Sequence, residues 1–227
     1  MTRLTYLMLG LVGLLGSTDV RGAACQTPDA GAPAVAADSV ARRLLVDVRQ
    51  LDSTIIVEAR YATSNNFTGA VLPGYFANRV LLRREAAEAL ARVQRRLKTG
   101  GMGLKVFDGY RPVRATLGMV EWARRSGQVQ LIRDGYIASH SRHNLGLAVD
   151  LTLVDWSMAG REVFMGTAYD TFSDAAHFGS ATGRTLRYRQ LLRRVMEEEG
   201  FRQYEQEWWH YSFDVAGEAV AFDIEVR

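Results

Sequence analysis

The stretch Gly146-Leu147-Ala148-Val149-Asp150-Leu151-Thr152-Leu153-Val154 is apolar almost throughout and carries one carboxylate in its middle. A short apolar run of this kind, bounded by polar segments, reads as a strand buried in the middle of a sheet. A buried strand does not keep an ionised Asp150 without a strong partner. The run therefore sets both the fold and the place to look for chemistry.

Working outward, strand-like runs occur at Leu44–Val48, Ile55–Ala59 and Leu104–Phe107, and an aromatic one at Glu207–Phe213. Leu82, Ala86, Leu90, Val93 and Leu97 recur at helical spacing and stop at Gly100-Gly101. Pro112 opens a second helix to about Arg125, and a third spans Thr185–Glu199 with Leu191, Leu192, Val195 and Met196 inward. Strands at both ends and in the middle, joined by short connections, predict an α+β single domain: a central antiparallel sheet with helices packed on it.

The chain has 227 residues, 48% hydrophobic and 23% charged, which suits one folded domain with an appendage. Its basic residues are nearly all Arg, interleaved with acids and without a basic stripe, which argues against a nucleic-acid partner. Residues 1–24 read as a signal peptide: Arg3, the apolar run Leu4–Leu15, and small residues Gly22, Ala23 and Ala24 before Cys25. Residues 25–42 read as an Ala/Pro-rich linker and 43–227 as the domain. The expected location is outside the cytoplasm, in the periplasm or cell envelope. Cys25 is the only cysteine, so it forms no internal disulfide; lipid attachment there is the one route to a membrane, and cleavage with release is the alternative.

Four histidines are present, His140, His143, His177 and His210. A lone histidine is more often structural than a ligand. His143 lies seven residues before Asp150, with the small Gly146 and Ala148 between them to let the strand pass close to a metal. Glu207-Trp208-Trp209-His210 adds an imidazole and a carboxylate on a strand. Catalytic zinc takes three His, Asp or Glu ligands and keeps a fourth position open, so these residues can supply a site; by ligand type Co²⁺ or Fe²⁺ would also be accommodated. Asp108 and Arg111, taken alone, read equally well as an ion pair.

Taken together these pieces carry a resemblance. Ser141-Arg142-His143-Asn144-Leu145-Gly146-Leu147-Ala148-Val149-Asp150 is similar to the S-x-H-x-x-G-x-A-x-D signature of the zinc D-Ala-D-Ala peptidase superfamily, and Glu207-Trp208-Trp209-His210 resembles its E-x-W-H motif. Tyr61-Ala62-Thr63, Asn66-Phe67-Thr68-Gly69, Asp108-Gly109-Tyr110-Arg111-Pro112 and Met165-Gly166-Thr167-Ala168-Tyr169-Asp170 follow in the order of its VanX-type D-alanyl-D-alanine dipeptidases. The resemblance covers roughly residues 45–213.

The resemblance implies one zinc ion held by His143, Asp150 and His210, with Glu207 as general base towards a zinc-activated water and Arg111 as stabiliser of the oxyanion. It implies Tyr61 and Asp170 as the grip on a substrate amine and Ser141 as a neighbour of the substrate carboxylate. The implied partner is a small dipeptide, D-alanyl-D-alanine or similar, hydrolysed to free amino acids. Tyr169 stands where a Phe is commoner. An exported D,D-carboxypeptidase or endopeptidase trimming peptidoglycan is the alternative, and a wall-binding protein without catalysis a third. His140 and His177 fall outside the motifs and read as loop residues, His177 at the border of the site mouth.

Overall fold

The computed structural model describes residues 34–217 and 219–227; the expected signal peptide, Cys25 and the first part of the expected linker lie outside them. The chain enters through α1 (Asp38–Leu44), β1 (Leu45–Asp47) and α2 (Val48–Leu51), then β2 (Ile56–Val57) and β3 (Leu81–Arg83). Next come α3 (Arg84–Lys98), β4 (Met102–Asp108), α4 (Val113–Arg125) and the single turn α5 (Gln130–Arg133). β5 (Ala148–Asp155), β6 (Arg161–Glu162), α6 (Gly183–Glu197), β7 (Phe201–Tyr204) and β8 (Glu207–Phe213) complete it.

The main sheet runs β2-β4-β5-β8-β7, with β6 also paired to β5, while β1 and β3 form a separate pair. β5 is central and buried on nearly every residue, as its apolar run requires. All the sheet pairings are antiparallel except β2 with β4, which is parallel. The mixed α+β architecture is thus the one expected, with one parallel edge pair that periodicity does not reveal.

α3 buries Ala86, Leu90, Val93 and Leu97 along one stripe, and Leu192, Val195 and Met196 of α6 face the same core. The two helices meet, and their outer rims are tied by Arg92 to Glu199 at 2.6 Å and Arg96 to Glu199 at 3.1 Å. The predicted strand at Leu44–Val48 is shorter than expected, because Asp47 accepts from the Arg49 amide at 2.9 Å and caps α2. Among the described residues no helix is long and apolar enough to cross a membrane.

The last residues form a strap over the loops that carry the site. Phe222 donates its amide to Asn144 O at 2.9 Å and accepts from the Val113 amide at 3.2 Å. Ile224 O accepts from the Tyr110 hydroxyl at 2.9 Å, and Val226 exchanges backbone bonds with Gly74 and Phe76, each 2.9 Å.

Candidate active site

Strand register builds the site's floor. Asp150 on β5 is the direct cross-strand partner of His210 on β8 and of Asp108 on β4, and cross-strand partners share a face. Asp108 reaches that row only because the β4–β5 register shifts between Val106 and Asp108. Without the extra residue, Phe107 would stand opposite Asp150; the bulge re-aims the strand beside the site.

His143 comes from a different element, the tight turn Arg142–Leu145 that precedes β5. Ser141 Oγ accepts from the His143 amide at 3.2 Å, and Asn144 Oδ1 accepts from the Ser141 amide at 3.0 Å, a reciprocal cap that fixes the turn. Gly146 ends it at φ 67°, where a Cβ would sit 2.5 Å from Leu45 Cδ2. This corrects the expectation that Gly146 is small to pass a metal: it is small to adopt left-handed backbone against Leu45. The Asn144 amide then ties the turn to Arg111 O at 2.9 Å and Thr116 Oγ1 at 2.8 Å.

His143 Nδ1 lies 2.7 Å from Gly109 O, so it donates there and leaves Nε2 as a lone pair facing inward. That Nε2 is 3.2 Å from His210 Nδ1 and 3.4 Å from Asp150 Oδ1, and the last two atoms are 3.0 Å apart. Ligands 2.0–2.2 Å from a tetrahedral ion stand roughly 3.3–3.6 Å from one another. The three atoms therefore fit a single zinc ion with no rearrangement beyond a few tenths of an ångström. Burial opposes ionisation of Asp150, yet the two imidazoles hold its carboxyl far below the usual carboxylate range. The site is ready to meet a cation with a charged ligand.

Glu207, at the start of β8, is buried, with Oε2 3.8 Å from His210 Nδ1. Burial pushes its carboxyl up to about 7, the range suited to a base that must both accept and return a proton near neutrality. Arg111 is nearly enclosed. Its Nε and Nη2 each lie 2.9 Å from Asp108 Oδ2, its Nη2 is 3.6 Å from Asp150 Oδ2, and its guanidinium stands 5.0 Å over the Tyr61 ring. Asp108 accepts in addition from the Tyr75 hydroxyl at 2.6 Å. The ion pair and the site residue, open alternatives in the sequence, are one arrangement.

Away from the triad, the Tyr61 hydroxyl donates to Asp170, with oxygens at 3.1 and 3.3 Å. Asp170 has φ 60°, a left-handed backbone uncommon outside glycine. Burial first, then the Asp150 charge, pushes its carboxyl well above the usual range. A carboxylate so placed is stabilised by a cation beside it. These residues, with Ser141, line a cleft of about 310 Å³ closed further by Tyr136, Trp209 and Tyr204.

Every predicted site residue thus reaches this cleft: His143, Asp150 and His210 as the triad, Glu207 and Arg111 beside it, Tyr61 and Asp170 together, and Ser141 on the wall. His140 lies exposed on the rim, its Nδ1 3.1 Å from Ser139 Oγ and outside the triad. His177 meets the Tyr136 hydroxyl at 3.0 Å, behind the rim. Asp108, Tyr75 and Tyr136 were not singled out from sequence for these positions. The D-G-Y-R-P stretch holds a signal for Asp108, but its alignment with Asp150 depends on the bulge.

A His–Asp–His triad, with a buried carboxyl and a guanidinium beside it on one open cleft, is the arrangement of a single-metal hydrolase of the peptidase type. The family model described as D-ala-D-ala dipeptidase matches residues 42–224, and the chain belongs to that family, whose members are zinc-dependent metallopeptidases. It is 37% identical over 170 residues to a D-alanyl-D-alanine dipeptidase of Enterococcus faecium, covering 68% of this chain and 83% of the relative. It is 34% identical to one of Streptomyces coelicolor, with 73% and 89% covered, and 31% identical to one of Escherichia coli, with 76% and 86% covered. A solved vancomycin-resistance D,D-dipeptidase, VanXYg with a D-Ala-D-Ala phosphinate analogue, is a looser match: 18% identity, TM-score 0.42, 75% of this chain and 66% of that one.

Proposed function

We propose that this enzyme hydrolyses free D-alanyl-D-alanine, or a D-dipeptide of similar size, to two amino acids. The observation that carries the reading is the Asp170–Tyr61 pair enclosed in the same cleft as the triad. A half-buried carboxylate there gains most from a substrate ammonium. A longer or acylated peptide brings no cation to that position and leaves the carboxylate unmatched.

Zinc on His143, Asp150 and His210 would supply a Lewis acid that acidifies water and polarises the scissile carbonyl. Glu207 takes a proton from the attacking water as its oxygen bonds to the carbonyl carbon, and delivers that proton to the leaving amine when the C–N bond breaks. Arg111 faces the charge that develops on the carbonyl oxygen, held in place by Asp108 and by its position over Tyr61. Asp170 and Tyr61 fix the ammonium, and the Ser141 hydroxyl, whose oxygen already accepts from the His143 amide, has its own proton to give to the substrate carboxylate.

The test is hydrolysis of free D-Ala-D-Ala beside an N-acylated pentapeptide ending in D-Ala-D-Ala, with Glu207→Ala as control. Cleavage of the dipeptide alone, lost in the control, supports the reading. Cleavage of the acylated peptide overturns the amine-gripping role and favours wall trimming. The leader-like residues 1–24 support export as a further part of the proposal, tested by the mass of the mature N-terminus.

A further inference from the structure

Asp150 has two carboxylate oxygens and they face different surroundings. Oδ1 looks at the two imidazoles, at 3.0 and 3.4 Å. Oδ2 looks away, towards the Tyr169 hydroxyl at 3.0 Å and Arg111 at 3.6 Å. Left alone, a carboxylate can turn about its last torsion and present either oxygen, or both, to an ion. Something must choose.

Tyr169 is built to do so. Its ring is buried, stacked on Phe107 with centroids 4.7 Å apart and 29° between planes, and edge-on to Trp209 at 5.4 Å. Packed from two sides, the ring gives its hydroxyl little freedom, and that hydroxyl donates to Asp150 Oδ2. It also stands 3.0 Å from the hydroxyl of Tyr61, which in turn donates to Asp170. Phe107 is the bulged residue of β4, so the irregularity that brings Asp108 to the site also supplies the surface on which Tyr169 rests.

We propose that Tyr169 is a positioning residue: its hydroxyl restrains Asp150 Oδ2, so that Asp150 meets the metal through Oδ1 alone. Outer partners of ligating groups commonly govern metal affinity by 10–100-fold, and Tyr169 is the only hydroxyl in hydrogen-bond contact with Asp150 among the described residues. The inference rests on the ligand triad and not on which dipeptide is cleaved.

The test is Tyr169→Phe, which keeps the stacked ring and removes only the hydroxyl, with Tyr61→Phe as its comparison. Zinc affinity is measured by competition with a chromophoric chelator, and ligand geometry by the visible absorption of the Co²⁺-substituted protein. Tyr169→Phe is expected to weaken zinc about 10–100-fold, alter the Co²⁺ spectrum and lower kcat more than it changes KM. Tyr61→Phe is expected to raise KM while leaving zinc affinity and the Co²⁺ spectrum as in the parent. Zinc affinity within threefold of the parent and an unchanged Co²⁺ spectrum in Tyr169→Phe would overturn the proposal. Because the metal readouts need no substrate, they decide the role of Tyr169 even if free D-Ala-D-Ala is not cleaved.

Discussion

Removing Asp108 tests the internal logic of the site most directly. Its carboxylate is almost fully enclosed and receives Arg111 twice and Tyr75 once. In Asp108→Ala the Arg111 guanidinium stays buried with Asp150, at 3.6 Å, as its nearest remaining carboxylate. Breaking a buried pair by deleting one partner costs about 3–5 kcal/mol. For a domain of this size each kcal/mol moves the melting point by about 2–4 °C, so the metal-free protein should melt roughly 6–20 °C lower. Asp108→Asn keeps one acceptor oxygen and should lose less. Freed from Asp108, Arg111 turns onto Asp150 Oδ2, so kcat should also fall by about 10²–10³, as for a lost oxyanion donor. Calorimetry of the single variants and of Asp108→Ala/Arg111→Ala closes the cycle. The double variant should recover most of the lost stability, because the uncompensated charge is gone. A single variant melting within about 3 °C of the parent, or strictly additive losses, would refute the reasoning.

Other outcomes follow from the same geometry. Glu207 must be ionised to accept a proton and burial holds it near 7, so kcat/KM should fall as pH drops through and below that value, zinc's charge shifting the limb downward; Glu207→Gln should erase the limb and lower kcat by about 10²–10⁴ while retaining zinc. Asp170→Asn should raise KM for a free dipeptide about 10- to 100-fold with zinc affinity unchanged, since a hydrogen bond to a charged group contributes about 1.5–3 kcal/mol; steady-state kinetics with an unaltered KM would rule out the amine grip. Gly146→Ala places a Cβ against Leu45 in left-handed backbone and should cost about 2–4 kcal/mol by thermal unfolding, with weaker zinc binding as the His143 turn shifts.

Much of this was legible in the chain because the relevant signals are local. Glu207–Phe213 reads as a strand-like aromatic run and packs as one strand, and the predicted bounds coincide with β8. The apolar run around Asp150 announced a central strand, and its carboxylate announced a partner. What stayed hidden depends on contacts between distant segments. The bulge at Phe107 is set by pairing with β5 and leaves no periodic mark, so Asp108 could not be aligned with Asp150 from sequence. Strand β7 is short and mostly polar outside Phe201, and it exists because β8 offers an edge. Tyr169 looked like a mild change from Phe; its hydroxyl acquires meaning only when β5 and Tyr61 are both within 3.0 Å.

The dispersed origin of the triad has a consequence for biosynthesis. His143 and Asp150 are delivered first, whereas His210 follows Asp150 by 60 residues. At a synthesis rate of about 5–20 residues per second, the growing chain spends roughly 3–12 s with two ligands and no third. Glu207 arrives only with His210, and the strap through Phe222, Ile224 and Val226, which fastens the loops bearing Arg111 and His143, comes later still. The triad and Glu207 therefore come together only once β8 pairs with β5, and the strap then fastens the loops around them.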